Sequence, residues 1–257
     1  MGTYERLKRV LNIPEEEPLT VEWTAETYLR LMDEGIPFIY LSLLQDQGFF
    51  PRPPLAGRDF RSRAGMSLNL AAANLTRATF RGTKFQNVSA NSTILDGACF
   101  TDSSFNVLRA TKSRGHHISF VRLQGYLEAS RVVWRDAVFD GAVLRASFTE
   151  TLLSECSFRK VKLRRFAGFE RATLHDCVFE ETEMRGADFE RSILRFITFR
   201  KTDLHKASFR GAYMWNVKFE GCNLRGVDFS GATLLNTPVP RGYELKNEVL
   251  VKKERAK

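Results

Sequence analysis

The chain has 257 residues, 43% of them hydrophobic, and a formal net charge of +9, ordinary for a soluble chain of one large domain or two small ones. The positive balance favours acidic partners or anionic surfaces over basic ones. The four cysteines, Cys99, Cys156, Cys177 and Cys222, include no Cys-x-x-Cys pair, which argues against a zinc site and a disulfide framework.

The first 50 residues carry 4 basic and 9 acidic side chains and show no repeat. Their apolar spacing predicts helices over Tyr4–Leu11, Thr20–Asp33 and Pro37–Gln47, with Thr20 as an N-cap and Gly35 and Gly48 as stops. Residues 1–50 therefore read as a helical head or cap. Met1 to Leu11 is charged throughout and lacks the apolar core and small-residue cleavage site of a secretory signal, so a cytoplasmic location is expected. The most apolar run, Ile36 to Leu44, falls well short of the ~20 residues that a membrane-spanning helix needs, and no membrane span is expected. Pro51-Arg52-Pro53-Pro54 separates the head from the segment that follows.

That segment is periodic. From Phe169 large apolar residues recur at every fifth position (Phe169, Leu174, Phe179, Met184, Phe189, Leu194), and a small or branched residue stands two positions before each (Ala167, Ala172, Cys177, Thr182, Ala187, Ser192). A period of five fits neither an amphipathic helix nor an alternating strand. It fits a chain that turns a corner every five residues, with the central and minus-two side chains inward. Phe alternates with Leu or Met, which puts Phe on two opposite walls of a four-sided coil and Leu or Met on the other two. One Phe wall reads Phe60, Phe80, Phe100, Phe120, Phe139, Phe158, Phe179, Phe199 and Phe219. That implies about nine coils and a rod roughly 40 Å long. A four-residue step at Leu144–Phe148 and a six-residue step at Leu163–Phe169 interrupt the register. Between Val107 and Val133 the central positions weaken to Ala110, Gly115 and Gly125. This stretch is either a degenerate coil or an extruded loop, and Phe120, which keeps register, favours the coil.

The repeat, clearest in Ala187-Asp188-Phe189-Glu190-Arg191, resembles the pentapeptide-repeat family from about Leu55 to Asn236. The resemblance implies an all-β repeat solenoid: a right-handed quadrilateral parallel β-helix with four pentapeptides per coil. The rod is expected over residues 51–237. Pro238 and Pro240 break the repeat, and residues 238–257 read as a C-terminal capping segment and basic tail. Tyr243–Lys253 alternates enough for a short strand or hairpin.

The register sorts outward residues by wall. One Leu wall carries Arg145, Arg164, Arg185, His205 and Arg225 directly after its central residues, with Lys162, Arg165 and Lys206 beside them. This basic stripe is either a solvated face or a dock for an acidic partner or nucleic-acid backbone; Glu183 and Asp203 share it. The other Leu wall turns Ile193, Phe196, Tyr213, Trp215 and Leu235 outward, with Val133 and Leu152 further along. An exposed apolar patch marks an interface. Its expected occupant is the C-terminal segment folded back, a second copy joined through the C-terminal coils, or another protein. On the neighbouring Phe wall Asp140, Arg159, Glu180, Arg200 and Glu220 alternate in sign and read as a self-pairing ladder. Cys156 and Cys177 fill inward slots one coil apart and read as core residues.

His175 and His205 point outward, and there is no Gly-x-Ser-x-Gly, His-Glu-x-x-His or phosphate-binding loop. No catalytic residue, cofactor or metal is expected, and the chain does not read as an enzyme. The leading expectation is a protein-interaction scaffold for a protein partner that the sequence does not identify. Some members of the resembled family mimic B-form DNA and bind type II topoisomerases. Such a regulator is an alternative, disfavoured because residues 51–237 carry 29 basic and 18 acidic side chains. A secreted bacterial effector or toxin-associated adaptor is a further alternative.

Overall fold

The computed structural model describes residue 9 and residues 24–33, 54–164, 167–240, 243–246 and 249–252. A chain that turns every five residues cannot pair with itself inside one coil, so its backbone groups bond to the coils on either side. On one wall Leu75 N–H donates to Ile94 C=O at 2.8 Å, and on the next Thr79 N–H donates to Arg58 C=O at 2.9 Å. The corner between them is closed by Ala78 N–H to Leu75 C=O at 2.9 Å. The product is an all-parallel β-solenoid with four walls.

The apolar Leu wall begins as bridges through Pro54, Asn74 and Ile94 and becomes seven parallel strands, from Arg114–His116 to Thr233–Leu235. The first Phe wall is bridged from Asp59 to Ser157 and is then a four-stranded sheet ending at Lys218–Glu220. The basic Leu wall and the second Phe wall share a six-stranded sheet in the first coils, because strands such as Lys84–Ser89 run round the corner between them.

The interior is a Phe column. Along the first Phe wall, rings from Phe60 to Phe219 stack with centroids 4.6–5.3 Å apart and planes within 18°. These nine rungs are separated by eight turns. From Phe148 the opposite wall adds a second stack through Phe169, Phe189, Phe209 and Phe229. The two stacks meet edge to face, as Phe169 and Phe179 do at 6.0 Å and 86°. Both geometries are preferred by aromatic quadrupoles. Most minus-two hydroxyls return their hydrogen bonds to the backbone, as Thr151 Oγ1 does to Phe148 C=O at 2.8 Å, which satisfies them on burial; Ser192 Oγ is the exception among the described residues.

Val107–Val133 is a coil, as Phe120 implied. Phe105 pairs with Gly125, but Val107 pairs with Tyr126, so one residue is missing at that corner. Gly125 has φ +127°, and a Cβ there would lie 1.8 Å from Phe105 O; only glycine lets the chain pass. The rung after Gly115 on the apolar Leu wall is Trp134, a core residue that the periodic reading missed. Its indole is fully buried 5.1 Å from Phe120, and Nε1–H donates to Ser113 Oγ at 3.1 Å.

At the N-terminal end, helix Ala25–Asp33 packs on the core through buried Ala25 and the side of Leu29. Glu26 pairs with Arg58 of the first coil. Thr24 caps this helix, accepting from Thr27 N–H at 3.2 Å; the expected cap, Thr20, lies outside the described residues. The helices expected at Tyr4–Leu11 and Pro37–Gln47 lie outside the described residues. At the other end strands Tyr243–Lys246 and Val249–Lys252 form an antiparallel hairpin that joins the apolar Leu wall at Thr233. Of the occupants considered for the apolar face, the described part of the C-terminal segment forms instead an in-plane extension that pairs the last strand edge of that wall. Among the described residues no helix is long and apolar enough to cross a membrane.

Phe179→Ala removes a ring from both contact types and is expected to lower unfolding free energy by ~3–5 kcal/mol in a urea titration; a loss below ~1 kcal/mol would mean that the core repacks locally. Gly125→Ala is expected to lower the melting temperature much more than Gly211→Ala, because at Gly211 the nearest atom to a new Cβ is Arg191 Cγ at 3.6 Å. Equal shifts would show that the Phe105 carbonyl yields.

Candidate interaction site

Two walls hold the residues singled out from the sequence. On the basic Leu wall Arg145, Arg164, Arg185, His205 and Arg225 fall one per coil, as the register requires. Lys162 Nζ lies 3.1 Å from Glu183, and Arg185 Nε lies 2.5 Å from Asp203 Oδ2. Burial pushes the Asp203 carboxyl up, but hydrogen bonds from Arg185, the His205 backbone N–H and Asn223 together hold it below its ordinary value. The Arg145 guanidinium sits 5.4 Å from the Tyr126 ring centroid. Arg164, Lys206 and Arg225 form no ion pair with the described residues, and Arg165 lies outside them. The stripe is therefore a mixed surface in which carboxylates of the same wall neutralise part of the positive charge.

The neighbouring Phe wall carries the alternating ladder that the sequence implied. Glu180 lies 3.4 Å from Arg159 and 3.7 Å from Arg200, and Arg200 Nε lies 2.8 Å from Glu220. Cys156 and Cys177 are buried free thiols. Contact with Cys177, then burial, holds the Cys156 thiol well above its ordinary range, which makes it a poor nucleophile.

The apolar Leu wall differs in kind. Ile193, Phe196 and Leu235 expose 36%, 38% and 45% of their surface, and Leu152 and Val133 expose 43% and 51%. Tyr213 and Trp215 are half-buried beside them. Phe196 packs 5.0 Å from Trp215 and 5.5 Å from His175, and Arg195 Cζ lies 5.8 Å from the Trp215 ring centroid. Trp215 Nε1–H is buried without an acceptor. Phe196 has φ +56°, a left-handed conformation that bulky side chains rarely adopt. Most other non-glycine residues at such corners are charged or polar, and Phe196 is the one large apolar side chain among them. An exposed aromatic cluster held on a flat sheet is a surface suited to anchoring another protein.

Besides Trp134, the periodic reading missed one surface feature of this wall. Around Gly115 lies an open depression of about 400 Å³, lined by Ile94, Asp96, Arg114, His116 and Val133. Gly115 itself faces inward, where a Cβ would meet Leu95 and Ile118, so the depression is shaped by the outward side chains around it.

Residues 151–229 match the family model of the pentapeptide repeat region, and residues 69–106 match that of pentapeptide repeats in eight copies. Among solved structures, a trypsin-treated form of QnrB1, a plasmid-mediated fluoroquinolone resistance protein, is 19% identical with a TM-score of 0.50, covering 67% of this chain and 91% of that one. HetL, a pentapeptide repeat protein involved in heterocyst differentiation regulation in Nostoc sp. strain PCC 7120, is 16% identical over 68% of this chain and 94% of its own, with a TM-score of 0.27. A thylakoid-lumen pentapeptide repeat protein of Arabidopsis thaliana is 30% identical over 40% of this chain and 66% of its own, with a TM-score of 0.21. No curated protein matches the chain. With a five-residue repeat, four parallel walls and a stacked Phe core, the chain belongs to the pentapeptide-repeat family.

Proposed function

We propose that the protein is a non-catalytic interaction scaffold that docks a protein partner on its apolar Leu wall. The observation that carries this reading is the exposed layer of Ile193, Phe196, Tyr213, Trp215 and Leu235 on a sheet whose other side is a packed core. Parallel ladders fix those side chains ~4.8 Å apart from rung to rung. A surface fixed in advance loses little entropy on binding, which is where a rigid rod outperforms a loop. The basic Leu wall is the weaker dock for an acidic partner or nucleic acid, since Glu183 and Asp203 offset part of its charge.

A second reading, a regulator of a type II topoisomerase, is favoured by the fold shared with a fluoroquinolone resistance protein. Charge weighs against it. A mimic of DNA needs rows of negative charge, and here acidic rows are interrupted by arginines: Glu150 lies 2.8 Å from Arg131 and 3.7 Å from Arg171, and the Glu180 row alternates with Arg159 and Arg200.

Immobilised full-length protein is expected to retain a defined set of proteins from its own cells, identified by mass spectrometry. Trp215→Glu is expected to lose them and Arg225→Glu to keep them. The opposite pattern would move the site to the basic wall, and loss with neither change would overturn a dock on the Leu walls. In a supercoiling assay with a type II topoisomerase, added protein is expected to leave fluoroquinolone inhibition unchanged. Rescue of supercoiling would favour the second reading instead.

A further inference from the structure

Resting on the reading of the apolar Leu wall as the docking face, we propose that its occupant is a second copy of this chain. The two rods pack wall to wall and antiparallel, about a twofold axis that follows the strand Thr173–His175.

The first support is the order of side chains along the wall. One rung either side of Thr173, the residues before the central position are Leu152 and Ile193; two rungs either side, they are Val133 and Tyr213. At three rungs both are polar, Arg114 and Thr233. A twofold axis along the central strand sets each residue against its counterpart, so Leu152 meets Ile193 and Val133 meets Tyr213. A surface that pairs with itself in this way is what an isologous interface requires. Two sheets meeting through such layers pack ~10 Å apart.

The second support is independent of the first. Leu235, on the strand three rungs above the axis, is an exposed knob. The depression at Gly115, about 400 Å³, is centred three rungs below it. The same rotation that aligns the apolar column brings the Leu235 of each rod over the depression of the other. The five-residue repeat demands neither the knob nor the hole, and still less their equal distance from one rung.

Charges fit the same operation. Arg195, one rung above the axis, has its guanidinium over Trp215 and no carboxylate partner among the described residues. Glu155, one rung below and one position further along, would face it across the interface and share its carboxylate between Arg195 and Arg135 of its own rod, which lies 2.6 Å away. The axis brings the two copies of Asp176 together, each with His175 Nδ1 at 2.9 Å. Seven strands and the terminal hairpin overlap, roughly 40 Å by ~12 Å of wall per rod. With side-chain relief that approaches the ~1,000 Å² total of the smallest specific interfaces, so the dimer is expected to dissociate in the micromolar range.

The test uses the full chain. Sedimentation equilibrium across the micromolar range is expected to show a reversible dimer, and Ile193→Glu to raise its dissociation constant about tenfold or more, with circular dichroism unchanged. Thr173→Cys keeps the shape of the wall. Under a short bis-maleimide this variant is expected to give dimers bridged between the two copies of position 173, whereas Leu235→Cys and wild type give none. A wild type that stays monomeric at all concentrations overturns the proposal; if it still captures another protein through Trp215, the docking reading survives and only the second copy is lost. Bridging at position 235 rather than 173 would mean contact at the rod ends and would equally overturn it.

Discussion

Everything in this rod depends on contacts between one coil and the next. A side of five residues forms strands too short to stand alone, and a coil has no partner for its own backbone groups. Ladder hydrogen bonds and ring stacking both act along the rod axis, so each coil stabilises its neighbours and is stabilised by them. The same dependence locks the register. A slip of one residue would turn a Phe out of the core and a charged side chain in.

That lock explains where the repeat is allowed to err. The short steps at Gly125–Ala129 and Leu144–Phe148 and the long step at Leu163–Phe169 all fall at one corner, between the basic Leu wall and the second Phe wall. The core also changes composition there. In the early coils the second ring comes from Phe85 and Phe105 on the basic wall, while the second Phe wall, after Leu70, holds Ala90, Ala110 and Ala129 at its centre. From Phe148 the ring moves to the second Phe wall and Leu144 takes the basic one. At the hand-over Gly125 and Ala129 are both small, and Trp134 reaches into the centre from a third wall. Volume is conserved across the change even though no single wall conserves it, as a close-packed interior requires.

The five-residue period, the four walls and the Phe column were legible because each is a pattern repeated many times, so that local noise averages out. The wall assignments of Arg145, Arg185, Ile193 and Trp215 followed from the same register. Features set by a single event were not legible. The left-handed turn at Gly125 answers to one carbonyl, that of Phe105, and Trp134 is inward only because a residue was lost just before it. The direction of the terminal hairpin is decided by an open strand edge at Thr233, which competes with the apolar face nearby and wins because unpaired backbone groups need directional partners. Thr24 caps the helix because its hydroxyl reaches Thr27 N–H, a local contact that the apolar spacing does not encode.

The walls show what such a fold can vary. Inward positions are committed to volume, and corners at φ near +55° favour short or flexible polar residues. Only the outward positions remain, and on the other three walls they carry mostly charged and polar side chains, some paired between rungs and some, such as Arg164, Lys206 and Arg225, not paired with the described residues. The apolar Leu wall breaks this pattern with exposed aliphatic and aromatic residues, a strained Phe196 and an indole N–H without an acceptor. Each of these is unfavourable for the isolated rod, by aqueous exposure, backbone strain or an unmet hydrogen bond. They lie together on one face, whereas Met66, beside Gln86 on the basic Leu wall, is an isolated exposed side chain. A contact that buries the patch would offset all of them at once, and this is the physical reason to read that wall as a surface made to be covered.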